Sequence, residues 1–148
     1  MTDDPFRGGQ AGPDFLADVL AGRRPDMALG RTLGVRLTAA KAGLVRLEGR
    51  PTEAHLNHQG GIHGGWYAAI LDSAMGYATV SSLAPDEAFT TLEFKLNLLR
   101  PLRPGATIRA EGRLPHRGRR TALTEATLFD EDDRTMAHAT GTNLILRR

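Results

Sequence analysis

Apolar positions along the chain follow a helical period in two stretches and an alternating or strand-like one in six. From Asp14 the residues Phe15, Leu16, Val19 and Leu20 recur at helical spacing, with Asp14 placed to cap the helix and Gly22 to stop it. Residues 1–13, rich in Gly, Asp and Pro and without periodicity, predict a flexible N-terminal tail ahead of a single domain over 14–148. Val35 to Ala40 and Leu44 to Gly49 read as strands joined through Lys41-Ala42-Gly43, a hairpin with glycine in its turn. Residues 62–80 form the one long helix candidate. It is apolar or small nearly all the way round, and a helix without a broad polar face belongs inside a protein.

After the turn at Ala84-Pro85-Asp86 the period changes to two, with Leu92, Phe94, Leu96 and Leu98 on one face and Thr91, Glu93, Lys95 and Asn97 on the other. Three more strands are expected over about 105–114, 119–130 and 134–146, divided by Gly-, Pro- or Asp-rich turns. The order strand, strand, helix, four strands predicts an α+β fold in which a long antiparallel sheet lies around one central helix. A parallel sheet would need alternating strand and helix units instead.

The 148 residues suffice for one domain with its own core. The chain has no cysteine, which removes a disulfide framework, a zinc knuckle and any thiol nucleophile. The acidic opening Met1-Thr2-Asp3-Asp4-Pro5 and the lack of a long apolar run read as a cytoplasmic protein without a membrane segment. A net charge of +2 with no long basic block gives no reason to expect a nucleic-acid partner. One local cluster, His116-Arg117-Gly118-Arg119-Arg120, reads either as a grip for a phosphorylated ligand or as a solvated hairpin tip.

The candidate chemistry lies on the central helix. Asp72 is its one acid, with Ala68, Ala69, Leu71, Met75 and Gly76 as helical neighbours, and an ionised carboxylate there is costly unless it is paired or has work to do. The same observation fits a structural acid that accepts hydrogen bonds. His63-Gly64-Gly65 opens the helix. Gly64 lets a ligand approach the backbone, and first-turn N–H groups at the positive end of the helix dipole can hold a developing oxyanion, worth about 3 kcal/mol per donor. Alternatively the paired glycines serve only close packing. Eight residues separate Gly64 from Asp72, roughly 12 Å of helix, so one reacting carbon cannot touch both. If both are catalytic, they come from different subunits and the active site lies at a two-fold interface.

Asn57-His58-Gln59-Gly60-Gly61-Ile62-His63-Gly64-Gly65, then Leu71-Asp72, then Thr91-Leu92-Glu93-Phe94-Lys95-Leu96-Asn97-Leu98-Leu99-Arg100-Pro101 resembles the signature of hotdog-fold thioesterases of the phenylacetate-degradation and 4-hydroxybenzoyl-CoA type. The likeness spans about residues 30–146. It implies a hotdog fold and hydrolysis of a small aromatic or short- to medium-chain acyl-CoA to free acid and CoA. Coenzyme A is then part of the substrate and no cofactor or metal is needed. By the same resemblance Gly64 supplies the oxyanion N–H, Asn57 and His63 place the thioester carbonyl and the loop, and Asp72 of the facing subunit acts as nucleophile or general base. Thr91, with Thr90 as the fallback, orients water or the acid. Gly65 belongs to the substrate-binding turn, Arg100, Arg117, Arg119 and Arg120 are candidates for the CoA phosphates, and a homo-oligomer, dimeric or tetrameric, is implied.

Trp66 and Tyr77 either line the acyl pocket or belong to the core, and His55, His58 and His138 receive no role. A zinc hydrolase lacks a paired-histidine helix motif, and a serine hydrolase lacks a Gly-x-Ser-x-Gly elbow. A hydratase or dehydratase acting on acyl-CoA, and a non-catalytic acyl-CoA binding module, remain as alternatives.

Overall fold

A computed structural model describes residues 8–147; the part of the expected tail at 1–7 lies outside the described residues. Helix α1 spans Gly12–Leu20 and a short α2 spans Ala28–Leu33. The hairpin β1 (Val35–Lys41) and β2 (Leu44–Gly49) follows, and then a 3-10 turn at Glu53–His55. The long helix α3 runs over Gly64–Val80, followed by β3 (Glu87–Leu98), β4 (Ile108–Arg117), β5 (Thr121–Asp130) and β6 (Thr135–Arg147). All strand pairs are antiparallel and the sheet order is β1-β2-β4-β5-β6-β3. This six-stranded sheet around one helix is the hotdog architecture that the resemblance implied.

Burial explains why α3 sits where it does. Ile70, Leu71, Ala74 and Ala78 are fully buried, and they meet the inward rows of the sheet, among them Val45, Leu47, Ile108, Ala110 and Leu128. The closest approach is backbone to backbone. A Cβ on Gly112 of β4 would lie 2.1 Å from the Ala74 carbonyl oxygen, so only glycine lets helix and sheet come this near. One polar contact is set into the same core: the Asn143 amide of β6 donates to the Thr79 hydroxyl at 2.6 Å.

Three details depart from the sequence reading. Helix α1 begins three residues earlier than expected, with Ala11 rather than Asp14 at the cap position and no side-chain cap. Its first turn is fixed instead by the end of α3, where Gly12 N–H donates to Leu83 O at 2.9 Å and a Cβ on Gly12 would collide with the Val80 carbonyl. Helix α2, closed by Gly34 at φ 71°, has too short an apolar stretch to register as periodic. In β3 the alternation is broken by a bulge. Thr91 pairs with Asn143 and Glu93 with Thr142, so Leu92 is left over and is 55% exposed. The extra residue turns Thr91 to the same side as Phe94 and Leu96, against α3, where strict alternation had placed it on the opposite face.

Candidate active site

Asp72 stands midway along α3, half-buried, and faces across to β3. The Thr91 hydroxyl donates to Asp72 Oδ1 at 3.0 Å. Burial pushes the Asp72 carboxyl above its ordinary value, and the Thr91 hydrogen bond pulls it part of the way back. Oδ2 has no partner among the described residues, so one carboxylate oxygen is held while the other is free to act. Thr90, the fallback hydroxyl, is exposed and pairs across the strands with Leu144, away from the acid. The bulge at Leu92 is thus what delivers Thr91 rather than Thr90.

The opening of α3 is built by its own loop. Asn57 Oδ1 accepts from Gln59 N–H at 2.9 Å and Gly61 N–H at 3.2 Å, and Asn57 N–H donates to Gly61 O. His63 N–H donates to His55 O at 2.8 Å, which ties this loop to the preceding 3-10 turn. His63 Nδ1 then accepts from Gly65 N–H at 2.8 Å, capping the helix. Gly65 N–H is therefore occupied. Gly64 N–H, one position earlier, has no acceptor among the described residues and is the donor the turn leaves open. Asn57 and His63 reach it through the backbone they hold, as positioning residues.

His55, given no role from the sequence, fastens three pieces. Its Nδ1 accepts from Thr52 N–H at 2.9 Å and its Nε2 lies 2.9 Å from Thr32 O, so Nε2 carries the proton and donates, and the ring packs on Trp66. Trp66 itself is 4% exposed, with its indole N–H donating to Leu33 O at 3.0 Å. It belongs to the core, and the pocket role suggested for it does not fit.

A cavity of about 630 Å³ opens beside Asp72. Its lining includes Asp72, Gly76, Tyr77 and Val80 of α3, Phe89 and Thr91 of β3, and Phe15, Asp26 and Met27 of the N-terminal segment. Tyr77, the second aromatic weighed as pocket or core, does line it. Asp26 was missed from sequence, where nothing distinguishes it from a surface acid. Its Oδ1 accepts from the Tyr77 hydroxyl and from Met27 N–H, and its Oδ2 from Leu37 N–H at 2.7 Å. Burial first, then the neighbouring Asp26 carboxylate, pushes the Tyr77 hydroxyl well above its usual range, so it stays a donor.

The four arginines do not gather. Arg100 lies near the start of α3, where Tyr67 donates to its carbonyl, and its guanidinium donates to Thr135 O. Arg117, Arg119 and Arg120 occupy the β4–β5 turn at the other end of β3. There Arg117 is drawn inward by Glu87 at 2.6 Å, while Arg119 and Arg120 are exposed. Among the described residues no cluster of three or more His, Asp or Glu side chains is placed to hold a metal ion. No helix there is long and apolar enough to cross a membrane.

The family model for the thioesterase superfamily matches residues 59–137, the stretch that contains the glycine turn, Asp72, Thr91 and most of the sheet. The chain belongs to the thioesterase superfamily. This thioesterase is 32% identical over 92 residues to a protein of Pseudomonas aeruginosa named as an esterase, covering 62% of this chain and 68% of that one. It is 27% identical over 111 residues to the Escherichia coli acyl-coenzyme A thioesterase PaaI, covering 74% and 76%. A crystal structure of a phenylacetic acid degradation-related protein from Ralstonia eutropha superposes with a TM-score of 0.80 at 30% identity, over 87% of this chain and 98% of that one. The chain is a PaaI-like hotdog thioesterase, a thioester hydrolase.

Proposed function

We propose that this thioesterase hydrolyses acyl-CoA esters in the cytoplasm as a homo-oligomer, with each active site shared between two subunits. The observation that carries the reading is the pairing of a held, half-buried Asp72 with an unoccupied Gly64 N–H that lies too far along the same helix to serve the same carbon. Gly64 of the partner subunit supplies the missing donor. Support for self-association comes from β3, which forms the edge of the sheet with its outer side unpaired. Leu98 and Leu99 at and just beyond its end are 52% and 54% exposed, apolar surface that a second copy would cover.

In the proposed reaction the thioester oxygen rests on Gly64 N–H. Asp72 Oδ2 either takes a proton from water, which attacks the carbonyl carbon, or attacks that carbon itself to give an anhydride that water then opens. In both routes the C–S bond breaks, the sulfur leaves as the CoA thiolate and is protonated, and the free acid departs. Thr91 fixes which carboxylate oxygen is free. Exposed Arg100, Arg119 and Arg120 are the candidates for the CoA phosphates, and Arg117 serves the ion pair with Glu87.

Thiol trapping with a panel of acyl-CoA esters tests the activity: CoA release supports it, whereas an unsaturated product or binding alone overturns it. Mixing chains tests the shared site. Gly64→Pro removes the N–H at the first helical position, where proline is tolerated and where the extended His63, at ψ 137°, already suits a following proline. Inactive Gly64→Pro and inactive Asp72→Asn chains, unfolded and refolded together, are expected to recover about a quarter of wild-type activity, since random pairing makes half the dimers mixed and each holds one intact site. No recovery from folded mixed dimers would exclude the shared site.

A further inference from the structure

Five cavity-lining residues of α3, Asp72, Ser73, Gly76, Tyr77 and Val80, fall on one helical stripe, so the cavity extends along the helix for roughly 12 Å beyond the carboxylate. At its middle the wall is bare: Gly76 has no side chain, and the Phe89 ring lies so close that a Cβ there would sit 3.1 Å from its tip. The outer wall belongs to α1 and the residues that lead from it into α2, which precede the region matched by the family model. Met27 and Phe15 supply its apolar surface, and Asp26 latches it by accepting from the Tyr77 hydroxyl on α3 and the Leu37 N–H on β1. Apart from Asp72 itself, the charges in the lining are satisfied or outward: Asp26 has three donors, Arg24 stacks on Phe15, and Arg31 is exposed. At about 630 Å³ the space falls in the range of small-molecule pockets, about 300–1,000 Å³.

Building on the acyl-CoA reading, we infer that the acyl group lies lengthwise along α3 in this cavity, with Gly76, Phe89 and Met27 setting how long and how bulky it is. The substrates are then uncharged medium-chain or arylalkanoyl thioesters. Acetyl would leave the apolar lining beyond Gly76 wet. Each further methylene is expected to raise kcat/KM by roughly fourfold until the chain meets the end of the cavity.

The test is kcat/KM for straight-chain acyl-CoA esters from acetyl to palmitoyl, with phenylacetyl-CoA beside them. The wild-type optimum is expected at medium length. Gly76→Ala pushes the Phe89 ring into the cavity, so the optimum shortens and the ratio of the wild-type best substrate to acetyl falls roughly tenfold or more. Met27→Ala, which trims a partly buried side chain at the edge of the core, opens the outer wall, and its optimum moves to longer chains. An optimum at acetyl, or an optimum unmoved in an active Met27→Ala enzyme, overturns the inference while the thioesterase reading stands. A wild-type enzyme that releases CoA from none of the esters overturns both.

Discussion

Thr91→Val is the sharpest probe of the candidate site, because valine keeps the shape of threonine and removes only the hydroxyl. That hydroxyl is the one side-chain donor to Asp72 among the described residues, at 3.0 Å. A hydrogen bond to a charged group contributes about 1.5–3 kcal/mol. Because the carboxylate is partly solvated, the lower end applies, and at about 1.4 kcal/mol per factor of ten the loss in kcat/KM is roughly tenfold. The pH profile should move as well. Burial raises the Asp72 carboxyl above its ordinary value and Thr91 opposes that rise, so without the hydroxyl the raise is unopposed. The acidic limb of kcat/KM, which reports the free enzyme, then shifts to higher pH. The assay is CoA release measured across the acidic range for wild type, Thr91→Val and Thr91→Ser, with serine expected to restore both rate and limb. A valine enzyme with wild-type rate and an unmoved limb would remove Thr91 from the mechanism.

Asp72→Asn should lower kcat by roughly 10²–10⁴, as expected for losing a general base, yet raise the melting temperature at neutral pH. The sign follows from the folded carboxyl lying above 3.8: wild-type stability falls as pH rises from that value through the folded one, and the amide variant has no such fall. Melting curves at neutral pH and near pH 4 check it, and a variant no more stable at neutral pH would mean the buried charge costs nothing. Thr79→Val should cost about 1–3 kcal/mol in urea unfolding, because the buried Asn143 amide loses its acceptor. A cost below about half of that would show that water or a rotated side chain replaces the hydroxyl.

Much of this fold is visible in the sequence because its two signals are strong. A helix with no polar face, followed by strands of period two, leaves few ways to bury both. The segment before the first strand is far less legible, for an identifiable reason. Gly12, Asp26 and the helix ending at Gly34 owe their conformations to partners well outside their own segment, Leu83, Tyr77 and Arg50 among them, and such contacts have no local periodicity. The wall of the cavity is therefore the part of the candidate site that sequence reasoning did not see.

The bulge at Leu92 shows where local pattern and chemistry part. Read as strict alternation, β3 puts Thr91 with Glu93 and Lys95, facing away from the helix. Read by resemblance, Thr91 belongs beside Asp72. Both cannot hold in a regular strand. The inserted residue resolves the conflict by leaving Leu92 unpaired, so that Phe89 and Thr91 before it and Phe94 and Leu96 after it share one face. An exposed leucine in the middle of a strand is a cost that packing alone does not explain. Its counterpart is a hydroxyl aimed at the one acid of the central helix, which makes the bulge part of the site rather than an irregularity beside it. Taking Leu92 into regular pairing would instead turn either Thr91 or the Phe94–Leu96 row to solvent. With Leu92 present in the chain, the Thr91–Asp72 contact and the hydrophobic register can both be met only by bulging it out of the pairing.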